Sequence, residues 1–189
     1  MSKITEIFMK KSVIEKLIAN EEIQIIGRVI AVLENKKTGY KKIIHGLNII
    51  TDKGDKYYAQ AACAETPDDD FIAAAAGVRL GNDNTEPAKG DGDVAAFLAG
   101  SAHALDAAYP KTNDDDPDNT GKGVDIVSWR FSYLTSEGNV NGVIEGAIVD
   151  DRTTPTGALS HFLFAAAFDK TASDTLKVFV NHTFNGVAT

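Results

Sequence analysis

The sequence predicts a mainly β protein, an antiparallel β-sandwich or jelly-roll-like domain with an N-terminal helix or arm. Three observations predict it. The last third alternates apolar and polar residues in four runs separated by turn residues. An earlier stretch, residues 23–50, is two β-branched runs joined by Asn35–Gly39. Helical spacing is confined to the first twenty residues and one alanine-rich segment. On this reading residues 1–20 are an amphipathic helix or arm. Residues 21–189 are one mainly β domain with acidic loops at 82–93 and 110–123.

Within residues 3–19, Ile4, Ile7, Phe8, Ile14, Leu17 and Ile18 recur mostly at three- and four-residue steps, with lysines and glutamates between them. Ser2 suits the N-cap, Glu6 the positive end of the helix dipole, and Asn20 the stop. So short a helix is marginal alone in water. Its stripe needs a surface, its own body or a neighbour's, and these six residues are the candidate interface.

Residues 23–34 are apolar in both alternating sets, which predicts a strand covered on both faces. Residues 35–39 turn the chain into a second strand from Tyr40. The alanines of residues 55–65 favour a short helix. Residues 71–80 turn to strand in their second half, at Gly77 and Val78. Residues 94–109 are rich in small side chains and interrupted by Gly100; their pattern selects neither helix nor strand. Residues 82–93 and 110–123 have the Gly, Pro, Asn and Asp content of exposed turns.

In the last third Val127, Trp129, Phe131 and Tyr133 share one face of the first run. Phe162, Phe164 and Phe168 share a face of the third, and Leu176, Val178, Val180 and Phe184 a face of the fourth. The predicted core is built on Trp129, Phe131, Phe162, Phe164, Val178 and Val180. The tight turns between the four runs predict an antiparallel meander or sandwich sheet.

With 189 residues, 43% of them hydrophobic, the chain can bury a sizeable core without cross-links. Cys63 is the sole cysteine, which excludes an intrachain disulfide and a multi-cysteine zinc site, and its alanine-rich surroundings predict a small buried hydrophobe. No apolar run reaches 18 residues, and the first residues lack a signal-peptide pattern, so synthesis in a reducing cytoplasm is expected. The net charge of -8 is uneven: residues 1–56 hold 11 Lys/Arg against 7 Asp/Glu, leaving 8 against 20 for the rest. A basic front and an acidic body attract each other between copies, or the front sits on an acidic partner, or both are simply solvated. The scattered basic residues, with no aromatics interleaved, argue against nucleic acid.

No catalytic constellation is visible. The sequence has no nucleophile elbow, dinucleotide fingerprint or P-loop. No enzyme activity, catalytic residue or cofactor is expected. Of the histidines, His45, His103, His161 and His182, the last two fall on adjacent predicted strands, where they are able to approach each other, but without a carboxylate at metal spacing, which predicts packing rather than ligation. The aspartates cluster at 68–70, at Asp91 and Asp93, and at 114–118. Asp114, Asp116 and Asp118 are weak calcium candidates, because hard cations take several oxygens; the stretch lacks the twelve-residue frame and Pro117 interrupts it, which suits a solvated loop.

Four segments carry a resemblance. The first hairpin closes through Thr38 and Gly39 into GLNIITDKGDKYYAQ, and GVRLGNDNT follows. VDIVSWRFSYLTSEGNVNGVIEGAIVDD and HFLFAAAFDKTASDTLKVFVNHTF complete the order. From Ile25 onward this order resembles virion structural proteins of tailed bacteriophages. The segment before Ile25 and the acidic stretch 82–123 lie outside the likeness. The resemblance implies a capsid decoration or cement protein that binds and stabilises the head shell, or alternatively a tail, neck or fibre-associated part. Its implied partners are copies of itself and other virion proteins such as the major capsid protein, without nucleic acid or membrane. Its implied location is the virion, assembled in the host cytoplasm. A third reading, a carbohydrate- or cation-binding module, rests on Trp129, Tyr133 and the aspartate loops.

Overall fold

The structure, a computed structural model, describes residues 4–7, 25–112, 117 and 125–184. Its strands are β1 (Ile4–Ile7), β2 (Ile25–Asn35), β3 (Lys41–Ile50), β4 (Gly77–Gly81), β5 (His103–Ala104), β6 (Ile126–Tyr133), β7 (Val140–Val149), β8 (Ala158–Lys170) and β9 (Asp174–Phe184). Among the described residues one helix, α1 (Asp52–Ala62), follows β3. Eight strands form one path in the order β5-β4-β7-β8-β3-β2-β9-β6, and β1 pairs with β3 off that path. Every pairing on the path is antiparallel.

The path curls until its ends meet. The Asp106 amide donates to Arg130 O of β6 at 3.0 Å. The Tyr133 hydroxyl donates to Ser101 O at 2.8 Å, and the His103 ring lies 4.3 Å from the Tyr133 ring. The result is a nearly closed, barrel-like sheet. The two layers expected of a sandwich are its opposite walls. Closure removes edges that would otherwise invite foreign strands.

The interior is filled by the predicted faces. Trp129, Phe131, Phe162, Val178 and Val180 are fully buried and Phe164 nearly so. β2 is covered on both sides as its composition requires: Val29 and Ala31 join the main core, whereas Ile30 packs with Ile43 and Phe179 in a separate cluster. Helix α1 begins where Thr51 Oγ1 accepts the Gly54 amide at 3.1 Å, with Asp52 and Asp55 in the first turn. A Cβ on Gly54 would lie 2.0 Å from Leu159 O, so glycine lets α1 rest directly on β8. Tyr57 then packs edge-on to Phe71, and Tyr58 to Phe184.

Two expectations change. Ile4–Ile7 is a strand, not the first turn of a helix; it runs parallel to β3, from Ile4 beside Lys41 to Ile7 beside Ile44. The physical reason lies in β8, which pairs with β3 only over Gly46–Ile50. Beyond Phe164 the β7–β8 register jumps and the edge of β3 is vacant; unpaired backbone groups there outweigh weak local helix propensity. The remaining candidates of that stripe, Phe8, Ile14, Leu17 and Ile18, lie outside the described residues. The last four strands are also not a meander. Only β7 and β8 pair as neighbours; β6 pairs with β9, and the β2–β3 hairpin sits between β8 and β9. The short 171–173 link therefore turns a corner instead of closing a hairpin. It is fixed by Lys36 N donating to Ser173 O at 2.8 Å and Asn35 Nδ2 donating to Asp174 at 2.9 Å.

Candidate functional site

The densest polar cluster lies where residues 82–99 cross β4, β7 and β8. Glu145 of β7 is fully buried. Its Oε1 accepts the amides of Ala96 at 2.8 Å and Asp83 at 3.1 Å, and its Oε2 accepts the Ala95 amide at 3.0 Å. His161 of β8 donates from Nε2 to Glu145 at 2.9 Å and from Nδ1 to Asp91 at 2.7 Å. Beside them Arg79 pairs with Asp93 at 3.1 Å, donates to Arg152 O at 3.2 Å, and lies 3.6 Å over the Phe97 ring. Gly81 admits the carboxylate: a Cβ there would fall 2.2 Å from Glu145 Oε1. Val94 packs alongside on Ala147, Val149 and Ala158.

With both ring nitrogens donating to carboxylates, His161 is an imidazolium. Burial opposes that charge, but the hydrogen bonds and charges of Glu145 and Asp91 outweigh it and raise the His161 pKa. Burial likewise works against the Glu145 anion, yet His161 and the three backbone amides hold its pKa below the usual carboxylate value. Asp93 is pushed up, chiefly by burial. The arrangement is a clasp fastening 82–99 to the barrel wall. It engages both nitrogens of its histidine within the protein. Among the described residues no group of three or more His, Cys, Asp and Glu side chains is placed to hold a metal ion.

A second cluster closes one end of the barrel. His182 is fully buried, and burial lowers its pKa to about 3, so it is neutral. Asn48 Nδ2 donates to its Nε2 at 2.8 Å, which leaves Nδ1–H to donate to the Tyr58 hydroxyl at 2.6 Å. Trp129 Nε1 donates to the same hydroxyl at 3.1 Å. The network ties α1 to β3, β6 and β9. A third fastening is the buried Lys170, whose Nζ donates to Asn139 Oδ1 at 3.0 Å and Thr171 O at 3.3 Å. His103 meets Glu137 at 3.2 Å.

Several sequence expectations are corrected here. His161 and His182 do not approach each other: β3 and β2 lie between their strands. His161 does have carboxylate partners, brought from 16 and 70 residues away. No local spacing reveals them; the signal available in sequence was a lone glutamate inside an apolar strand. Cys63 is exposed, not a buried hydrophobe, because it follows the last turn of α1 and its amide caps Ala59 O. Asp68 and Asp69 pair with Lys56 and Lys53. The calcium candidates Asp114, Asp116 and Asp118 lie outside the described residues. Trp129 and Tyr133, the aromatic candidates for a sugar platform, are core side chains.

No family model, curated protein or solved structure matches the chain. The geometry defines a mainly β module whose buried polar groups hold its own parts together.

Proposed function

We propose that this chain is a structural component of a bacteriophage virion, a capsid decoration or cement protein. The observation that carries the reading is how the buried polar groups are used. His161, Glu145, His182 and Lys170 each spend their hydrogen bonds fastening a loop, helix or turn to the curled sheet. Such buried hydrogen-bond networks favour rigidity, which suits a part that must keep one shape within an assembly. The order of elements from Ile25 onward, which resembles tailed-phage virion proteins, supports the virion setting. The uneven charge along the sequence, net +4 over residues 1–56 and -12 over the rest, favours electrostatic attraction among copies.

The test is to image fluorescently or gold-labelled protein on intact particles of the phage that encodes it. Label distributed over the head shell is expected. Label restricted to the tail transfers the chain to the tail-associated role, and particles without label overturn the proposal.

A further inference from the structure

We infer that the stretch of β3 left unpaired by β8, Lys41–Ile44, is an acceptor for the N-terminal strand of a second copy of this chain. This deepens the assembly reading and rests on it, by naming one partner and its point of contact.

Four observations converge. The β3 edge over Lys41–Ile44 is relinquished by β8, whose pairing with β3 stops at Gly46. A sheet edge of this kind offers a row of backbone donors and acceptors to any strand that reaches it. The strand that fills it, β1, is four residues long and parallel in a sheet that is otherwise antiparallel. It is therefore an addition to the barrel and no part of its closure. Finally, β1 and β2 are separated by residues 8–24, seventeen residues. Ile7 lies level with Ile44, and Ile25 lies beyond the level of Asn48. That offset is about 20 Å along the strands. Seventeen residues reach about 55 Å when extended.

By covalent length alone, seventeen residues set an upper bound roughly 35 Å beyond that offset. Each copy carries both the donor strand and the acceptor edge, so strand addition between copies uses the same backbone bonds as strand addition within one. Which copy supplies the strand is then set by local concentration. Exchange of an identical element between protomers is a low-cost route to association.

The experiment uses the full chain with Cys63→Ser. One population carries Thr5→Cys and the other, distinguishable by size, carries Lys42→Cys. Thr5 and Lys42 are register partners, and strands about 4.8 Å apart bring such a pair within disulfide range. The populations are mixed, unfolded and refolded together over a dilution series reaching the mM range, then oxidised. The expected result is a mixed disulfide between the two chains, several-fold above a control pairing Thr5→Cys with Lys177→Cys on β9, and rising with concentration. A second pair, Ile4→Cys with Lys41→Cys, repeats the test should either first variant fold poorly. Mixed product no greater than the control overturns the inference. So does a doubly substituted chain that bridges only within itself at every concentration. The measurement needs no particle, so its failure leaves the labelling result standing, and a failed labelling result leaves the cross-link standing.

Discussion

Trp129 and His182 show what single side chains contribute. Trp129 is fully buried between the sheet and α1, and its indole N–H is satisfied by Tyr58. Trp129→Ala removes the largest buried side chain and leaves the Tyr58 hydroxyl without that donor. A loss of roughly 3–5 kcal/mol is expected, read from urea unfolding midpoints at constant slope. His182 makes stability depend on acid. Its folded pKa, about 3, lies below its ordinary value of 6.5. The unfolded chain therefore binds a proton that the folded chain refuses. Stability is full above 6.5 and falls as pH drops toward 3. Between pH 6 and 4.5 the loss from this residue is about 2 kcal/mol. His182→Gln, which retains an amide for hydrogen bonding but does not titrate, flattens the pH dependence of the unfolding midpoint in that window. An unchanged slope would assign the effect to another group.

At the scale of elements, the 82–99 strap depends on Glu145. Glu145→Ala leaves the His161 charge half-paired and three backbone amides without their acceptor. A cost of about 3 kcal/mol is expected. Faster hydrogen exchange concentrated at Asp83, Ala95 and Ala96 would distinguish release of the strap from general unfolding. The strap also has a pH window. The raised pKa of His161 gives stability that is complete below 6.5 and lost as pH climbs through the folded value. The lowered pKa of Glu145 gives stability that is complete above 4.5 and lost as pH falls through its folded value. Asp91, Asp93 and Arg79 face the same cluster, so protection at Ala95 and Ala96 is expected to peak between those limits. Gly54→Ala places a methyl against Leu159 O and should cost about 1–3 kcal/mol by lifting α1 from β8.

Elements were legible where alternation is strong. The faces carrying Trp129, Phe131, Phe162 and Val178 follow from a period of two, because side-chain direction in a strand is a local property. The short alanine helix and the strand at Gly77 followed from composition. Strand neighbours did not. The β2–β3 hairpin is apolar on both faces, which signals an interior place in a sheet but not between which strands. The clasp was equally hidden, since Glu145 and His161 meet only after β7 and β8 settle into register across a bulge. Ile4–Ile7 carried apolar spacing compatible with helix, and the vacancy beside β3 decided for strand.

For the whole molecule, the division of charge predicts how it associates. The first 56 residues carry a net +4 and the remainder -12. Binding to particles should weaken as salt rises, since exposed charges are screened over about 10 Å at 0.1 M. Equal binding at low and high salt would leave apolar and backbone contacts as the attraction. Removing residues 1–20 takes away β1 and leaves the Lys41–Ile44 edge unpaired. The truncated barrel is expected to fold, because its eight-strand path is independent of β1, and to fail to join particles. Normal incorporation would exclude a docking role for the arm, and loss of the folded state by circular dichroism would show that the arm acts within its own chain.

The place of the β2–β3 hairpin has a consequence in time. β2 finds one neighbour in β3 at once, but its other neighbour is β9, and Ile25 lies beside Phe184. A ribosome adding roughly 5–20 residues per second needs about 7–30 s to pass from Ile50 to Phe184. Throughout that interval both strands of the hairpin are synthesised and the strand that will cover the free edge of β2 is not. The barrel therefore cannot close progressively behind the growing chain. Its early half must be kept from meeting other nascent copies until the last strand arrives, and synthesis rate or chaperone supply should govern how much of the protein is recovered folded.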